Sequence, residues 1–403
     1  SVSSLPAILA VIPVSAKPKF HHGNSSAKSF DRFAGFVIKR RKPLFWVMIA
    51  FMLTLTAVVF KIELEDDWVE YFDERYAIRT AADFSKEHLR GFEIIEYGLD
   101  SKESGGINNP EYLNKVEAFS NWYRSQPEIV HVNTITDVFK RLNKNMHGDD
   151  TTYYRIPDRR DLAAQYLLLY EMSLPFGLDL NNQIDVDKSS TRLVVSLKET
   201  TTRELRDMDA RARAWLKANA PEMFTHGSGL MVMWAHISER NINSMLGASF
   251  LALVLLSFIL MLGLRSFRLG LLSLVPNLSP ALIGFGLWGY LYSQVGLGLS
   301  VVVAMTLGIV VDDTIHFMLK YIRARRELGL TPPEAVRYSF NTVGTAIMVT
   351  TISLVCGFLV LTQSGFKMNS EMGLLSSITI AMALIMDFLL LPSLLIMVDR
   401  KEY

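Results

Sequence analysis

Two adjacent carboxylates and an imidazole, Asp312, Asp313 and His316, stand in GIVVDDTIHF (Gly308–Phe317), a stretch that is otherwise apolar. On a helix, Gly308, Asp312 and His316 recur every fourth residue and share a face, while Asp313 lies about 100° round. Thr306 and Lys320 fall on the Asp313 side at seven-residue steps. Neighbouring acids in a low dielectric titrate as a coupled pair, which supplies a group able to be neutral or charged at working pH. A proton carrier needs such a group, and His316 is placed to pair with Asp312 or to pass the proton on. Asp387 lies in another apolar run at a similar expected depth. The expected relay is Asp312, Asp313, His316 and Asp387.

Other uses of these residues compete with that one. The acids could be satisfied by buried hydrogen bonds or an ion pair that only holds helices together. Asp312, Asp313 and His316 also have a helical spacing that a metal could use, but no further histidine spacing supports it and no metal is assigned. Intramembrane aspartyl protease chemistry usually brings its two acids from two helices, so no enzyme activity is expected either.

The elements that position these residues read as membrane spans. Half of the 403 residues are hydrophobic while 20% are charged, so the two classes must be segregated along the chain. Six apolar stretches run over 44–60, 245–264, 269–292, 297–319, 343–362 and 372–398. Most have about the 20 residues that a helix needs to cross the hydrocarbon core. An ionised carboxylate near the bilayer centre costs roughly 2.5–3.5 kcal/mol on insertion scales, so the acids must face a helix bundle or a wet cavity. Ala304 and Gly308 form a small-xxx-small pair expected to let a neighbouring helix approach beside the relay. VPNLSP (Val275–Pro280) is expected to interrupt the third span and expose Asn277 to a cavity, with Thr345 of the fifth span as a second lining candidate. Thr350, Thr351 and Ser353 could hydrogen-bond across to the acids.

Basic residues orient the spans. Lys39–Lys42 precede the first, Arg265 and Arg268 follow the second, Lys320–Arg326 follow the fourth, and Arg400 and Lys401 follow the last. All fall on one side if every span crosses, and the opposite turns carry only Lys367. By the positive-inside rule the basic side is cytoplasmic and the polar segment 61–243 is extracytoplasmic. That segment alternates strand patterns (FEIIEYGLD, IVHVNTI, RLVVSLKE) with helical ones (Pro110–Gln126, Arg159–Ser173, Thr202–Asn219), predicting an α+β domain with a ferredoxin-like core. In the loop after the fourth span, Thr331, Pro332 and Glu334 make a capping-box start to a short interfacial helix.

The remaining signals exclude several classes. The net charge of +1 gives no footprint for nucleic acid, and the single cysteine, Cys356, allows neither a disulfide framework nor a cysteine zinc site. GFGLWG (Gly284–Gly289) spells a dinucleotide fingerprint but sits inside an apolar run without a strand before it, so it reads as a packing seam. The opening SVSSLPAILAVIPV echoes the closing LLLPSLLIMVD, and the echo reads as the tail of an earlier membrane helix, residues 1–16.

One helix, a large extracytoplasmic domain and five more helices resemble the repeat unit of the RND superfamily of transporters. GIVVDDTIHF, GTAIMVTTISLVCGFLVL, LLLPSLL and QYLLLYEMS are similar to its MMPL and Patched-related branch. The resemblance implies the C-terminal half of a duplicated protein, driven by protons through Asp312 and Asp313. Its cargo would be lipids or other hydrophobic molecules in an inner membrane, with no cofactor beyond the proton gradient. Its partners would be the membrane, that cargo, and a missing N-terminal half or a second copy. A lipid- or sterol-sensing receptor, or an accessory subunit of protein secretion, are the alternatives. The expected organisation is thus a mostly α membrane protein with six (1+5) spans. It comprises a helix tail (1–16), a cytoplasmic linker (17–43), a span (44–60), the α+β domain (61–243), a five-helix bundle (244–398) and a cytoplasmic tail (399–403).

Overall fold

A computed structural model describes residues 25–66, 69–88, 93–175, 180–198 and 200–399, without the side chains of 25–28 and 86. The expected helix tail at 1–16 and the basic pair Arg400 and Lys401 lie outside the described residues. Among the described residues, six helices are long and apolar enough to cross a membrane. They are preceded by α1 (Ser25–Lys39), a helix inside the segment expected to be a linker. It is too short and too polar to read as a span, yet Phe30, Ala34 and Val37 on one face are buried.

The first span, α2 (Arg41–Val59), leads to a two-residue strand β1 (Glu63–Leu64) and helix α3 (Ala77–His88). The α+β domain follows with β2 (Glu93–Asp100), α4 (Pro110–Arg124), β3 (Ile129–Asn133), α5 (Ile135–Met146), α6 (Arg160–Ser173), β4 (Ser190–Leu197) and α7 (Thr202–Asn219). The sheet is antiparallel in the order β2-β4-β3, with Ile95 and Val132 both opposite Val195. Period-two burial puts Ile95, Tyr97, Leu99, Leu193, Val195 and Leu197 on the core face. Against that core pack Leu113, Val116 and Phe119 of α4 and Leu205, Met208 and Ala212 of α7. Beyond β2, Ser228 exchanges two backbone hydrogen bonds with Glu96, at 2.9 and 2.8 Å. This single bridge stands where the fourth strand of a ferredoxin-like core would run, so that topology is present with one edge reduced to a residue.

The spans after the domain are α8 (Leu230–Gly263), α9 (Phe267–Leu291), α10 (Leu297–Arg326), α11 (Pro332–Leu361) and α12 (Lys367–Val398), with strand β5 (Gln294–Val295) before α10. Three of them depart from the expected bounds. The α8 helix begins well before residue 244, because Val232 and Ala235 of its first turns belong to the domain core, so domain and bundle share one unbroken helix. The helix expected at the membrane surface is instead the first part of α11, continuous with the fifth span through a π turn at Phe340–Gly344. Its capping box of Thr331 and Glu334 is present. The third span is not interrupted, since α9 runs through Pro276 and Pro280. Ser279 Oγ donates to the Pro276 carbonyl at 3.4 Å, re-satisfying an oxygen that the proline at 280 cannot serve.

The glycine seam behaves as expected. A Cβ on Gly284 would stand 2.6 Å from Thr379 Oγ1 and one on Gly289 2.7 Å from Ile62 Cγ1, while one on Gly286 would run into the Leu55 carbonyl. Here α9 approaches α2 and α12 as closely as only glycine allows.

Asp66 joins domain to bundle. It is buried, its Oδ1 accepts from the Tyr71 hydroxyl at 2.6 Å and the Leu297 amide at 3.1 Å, and its Oδ2 accepts from Ser238 Oγ at 3.0 Å. One carboxylate thus holds the first turn of α10 against α8, serving an amide that the helix start leaves unpaired. At the opposite end the basic residues converge. Arg325 Nε donates to Asp399 Oδ2 at 2.8 Å, and Arg326 Nη2 donates to the Leu264 carbonyl at 3.2 Å. The ends of α8, α10 and α12 are therefore together, as their charge pattern predicts.

Candidate functional site

The two aspartates of α10 point to different surroundings, as the 100° step between neighbours requires. Asp313 is 9% exposed and its Oδ2 accepts a hydrogen bond from Thr351 Oγ1 of α11 at 3.3 Å. Thr351 also donates back to the Ile347 carbonyl at 2.8 Å, so its hydroxyl is shared between the two acceptors. Asp312 faces outward with 70% of its side chain exposed, and His316, 57% exposed, has its Nε2 3.5 Å from Asp312 Oδ1.

Asp387, 1% exposed, sits in a second π turn, Met386–Leu390 of α12. The extra residue of a π turn rotates the side chains that follow, a device often found at functional positions. Thr314 Oγ1, one residue beyond Asp313, donates to Asp387 Oδ1 at 2.8 Å. Asp387 Oδ2 is buried and has no hydrogen-bond partner among the described residues. Neither Asp313 nor Asp387 has a salt bridge to a basic side chain among the described residues.

A cleft of about 670 Å³ opens between α10 and α11, lined by Gly308, Asp312, Asp313, His316 and Thr350 among others. It reaches Asp313 from the side and leaves Asp312 and His316 on its rim. Ala304 and Gly308 lie on this same exposed side, and no atom stands within 4 Å of a Cβ placed on Gly308. The close helix neighbour expected at this small-residue pair is therefore not found within the described chain. Thr345, expected as a cavity-lining residue, is exposed and is not among the residues that line this cleft. Asn277 is buried on α9, and its Oδ1 has no partner among the described residues. Of the fifth-span hydroxyls, Thr351 reaches an acid, Thr350 bonds to its own helix at Ala346 and Ile347, and Ser353 is exposed.

Beneath the acids lies an aromatic cluster. Phe317 is one turn from Asp313, and its ring stands 5.1 Å from Phe340, the first residue of the α11 π turn. Phe340 meets Phe388, the neighbour of Asp387, at 5.3 Å. Phe33 of α1 contacts both, at 5.6 and 6.1 Å, and Phe30 reaches Phe388 at 6.1 Å. These edge-on pairs bring both π turns and α1 into one packing unit. Sequence reasoning missed Thr314 and this cluster. Thr314 carried no signal beyond adjacency to the acids, and the phenylalanines lie on four separate stretches of chain.

The donors near the acids are hydroxyls and one imidazole, and no group of three or more metal-ligating side chains occurs among the described residues. What the arrangement can do is hold two carboxylates inside a helix bundle with neutral partners, where adding or removing a proton changes the local charge.

The model of the MMPL family matches residues 183–402, from just before β4 through the last span. A membrane protein of Methanocaldococcus jannaschii is 31% identical over 156 residues, which are 38% of this chain and 40% of that protein. The chain therefore matches less than half the length of that relative.

Proposed function

The chain belongs to the MMPL family, a family of multi-pass membrane transporters, and from that premise we propose that it couples the export of lipids or other hydrophobic molecules to proton entry. The observation that carries this reading is the pair Asp313 and Asp387, buried between spans with threonine partners and without a cation among the described residues. A buried, unpaired carboxylate is costly as an ion, and exchanging a proton removes that charge.

In this reading the basic end of the bundle faces the cytoplasm and the α+β domain lies outside, by the positive-inside rule. The domain collects or hands over cargo, and α8, continuous from the domain core to the far end of the bundle, transmits movement between them. A change of charge at Asp313 or Asp387 alters packing at Phe317, Phe340 and Phe388, and so the two π turns. Asp312 and His316 are too polar to face lipid, so the rim they occupy is covered by another membrane segment, from a preceding half or a second copy. That cover would complete the helix contact for which Ala304 and Gly308 are shaped.

Transfer of a fluorescent phospholipid analogue between leaflets or vesicles, measured with the protein in proteoliposomes, tests the proposal. An inward proton gradient should accelerate transfer at least tenfold over the same vesicles at equal pH. Equal rates with and without the gradient, alongside saturable binding of the analogue, would favour a lipid-sensing receptor.

A further inference from the structure

The spans bury many serine and threonine hydroxyls, and most donate to a carbonyl of their own helix, as Ser249, Ser257, Thr306, Ser377 and Ser393 do. Four side-chain atoms buried in the spans, among the described residues, have no partner: Asn277 Oδ1, Ser376 Oγ, Thr379 Oγ1 and Asp387 Oδ2. All four belong to α9 and α12. Unsatisfied polar groups are expensive in hydrocarbon, so their concentration in one seam calls for a function.

The register of the seam places two of them level. The helices α9 and α12 run antiparallel, and Gly284 lies against Thr379. About two turns from Gly284 towards the start of α9 comes Asn277, and about two turns from Thr379 towards the end of α12 comes Asp387. The packing agrees, since Met386 and Leu390 of the π turn share a cluster with Val275 and Ile283 of α9. Asp387 is held on its other side by Thr314, which occupies Oδ1 and leaves Oδ2 for this seam.

We propose that Asn277 is the proton-dependent partner of Asp387. A proton bound on Asp387 Oδ2 is donated to the amide Oδ1 of Asn277, so one proton satisfies both buried oxygens and ties α9 to α12. When it leaves, two acceptor oxygens face each other and the tie is lost. The charged group nearest this seam is Asp313 of α10. Of the helices packed here, α2 carries Arg41 and Lys42 and α9 carries Arg268 only in their first turns. Helix α11 carries Glu334 and Arg337 before its π turn, and α1 carries Asp31, Arg32 and Lys39 among its described side chains, with Asp31 paired to Arg337. Asn277 is thereby a positioning residue, acting through Asp387. The inference rests on the reading that Asp387 exchanges a proton, and it adds a partner and a mechanical consequence.

Infrared difference spectroscopy of the purified chain in lipid nanodiscs tests it through the carbonyl stretch of a protonated carboxyl. A band that disappears in Asp387→Asn identifies the group. The proposal expects that band to move to higher frequency in Asn277→Leu, where the acceptor is lost, and to stay near its original position in Asn277→Thr, whose hydroxyl can still accept. Transport should fall about tenfold in Asn277→Leu and recover in Asn277→Thr. If Asn277→Leu does not fold, Asn277→Ala gives the same comparison. A band at the same frequency in the wild type and the Leu or Ala variant overturns the proposal. So does the absence of an Asp387 band at any pH, which would mean an ionised carboxylate receiving the amide N–H. Asp313→Asn, run in parallel, abolishes gradient-driven transport if the functional proposal holds and leaves the Asp387 band in place, so the two ideas fail separately.

Discussion

Thr314 Oγ1 donates to Asp387 Oδ1 at 2.8 Å, while its chain neighbour Asp313 accepts from Thr351 on a different helix. Two consecutive residues of α10 thereby engage the two π-turn helices, α12 and α11. Replacing Thr314 with Val keeps the shape and removes the donor, taking from Asp387 the hydrogen bond that its Oδ1 accepts. The loss should cost about 1–3 kcal/mol, the usual penalty for stranding a buried polar group. Thermal unfolding in detergent measures it, and Thr314→Ser, which keeps the hydroxyl, should lose much less.

Glycine substitutions separate the covered face of the bundle from the open one. In Gly286→Ala the new methyl collides with the backbone of α2 at Leu55, so helices must move apart at a cost of roughly 1–3 kcal/mol. In Gly308→Ala the new methyl meets no packed neighbour within 4 Å among the described residues. It should leave the unfolding temperature of the isolated chain unchanged or slightly raised, since alanine favours the helix. If another membrane segment seats on that face, the same change should weaken the assembly, which cross-linking or light scattering would detect.

The contrast between those two glycines also marks what the sequence could tell. GFGLWG was legible as a packing seam because glycines within an apolar run have few other uses. The strands of the domain were legible from β-branched alternation, and the convergence of Arg265, Arg325 and Arg326 at one end from charge alone. The π turns were not, because an extra residue in a helix reflects packing around Phe340 and Phe388 rather than composition. Helix α8 was cut short because its first turns, with Trp234, Ser238 and Glu239, are too polar for a span and belong to the domain. Asp312 and Asp313 could be assigned different faces, but which one is buried depended on where α11 and α12 lie.

Phe33 and Phe340, 5.6 Å apart and nearly perpendicular, connect α1 to the α11 π turn. A double-mutant cycle with Phe33→Leu and Phe340→Leu should give a coupling of about 0.5–1.5 kcal/mol. If α1 senses the turn, the coupling should also differ between acidic and neutral pH. A coupling near zero would make α1 a passive neighbour.

The domain has its own acid sensitivity. Burial pushes the Glu117 carboxyl up, but hydrogen bonds from Lys140 and Thr136, with the charges of Lys140 and Arg124, outweigh it and hold the group below its ordinary range. Lys140 Nζ lies 2.6 Å from Glu117 Oε1. Unfolding returns Glu117 to about 4.3, so its stabilising share is complete above that pH and is lost as pH falls through the lower folded value. Wild type and Glu117→Gln should therefore differ most in unfolding temperature near neutrality and converge as pH falls through that lowered folded value. Fluorescence of Trp122 and Trp215, which stack near Phe119 on the same helix as Glu117, follows the domain.

Proton entry into vesicles during transport tests the central claim most directly. With a pH-sensitive dye trapped inside and an inward proton gradient imposed, wild-type protein should acidify the lumen faster when lipid cargo is present. Asp313→Asn should abolish both the acidification and the gradient-driven transport, while Thr351→Val, which removes only the hydroxyl partner, should reduce them about tenfold. Transport by Asp313→Asn at the wild-type rate, with the same dependence on the gradient, would contradict the account.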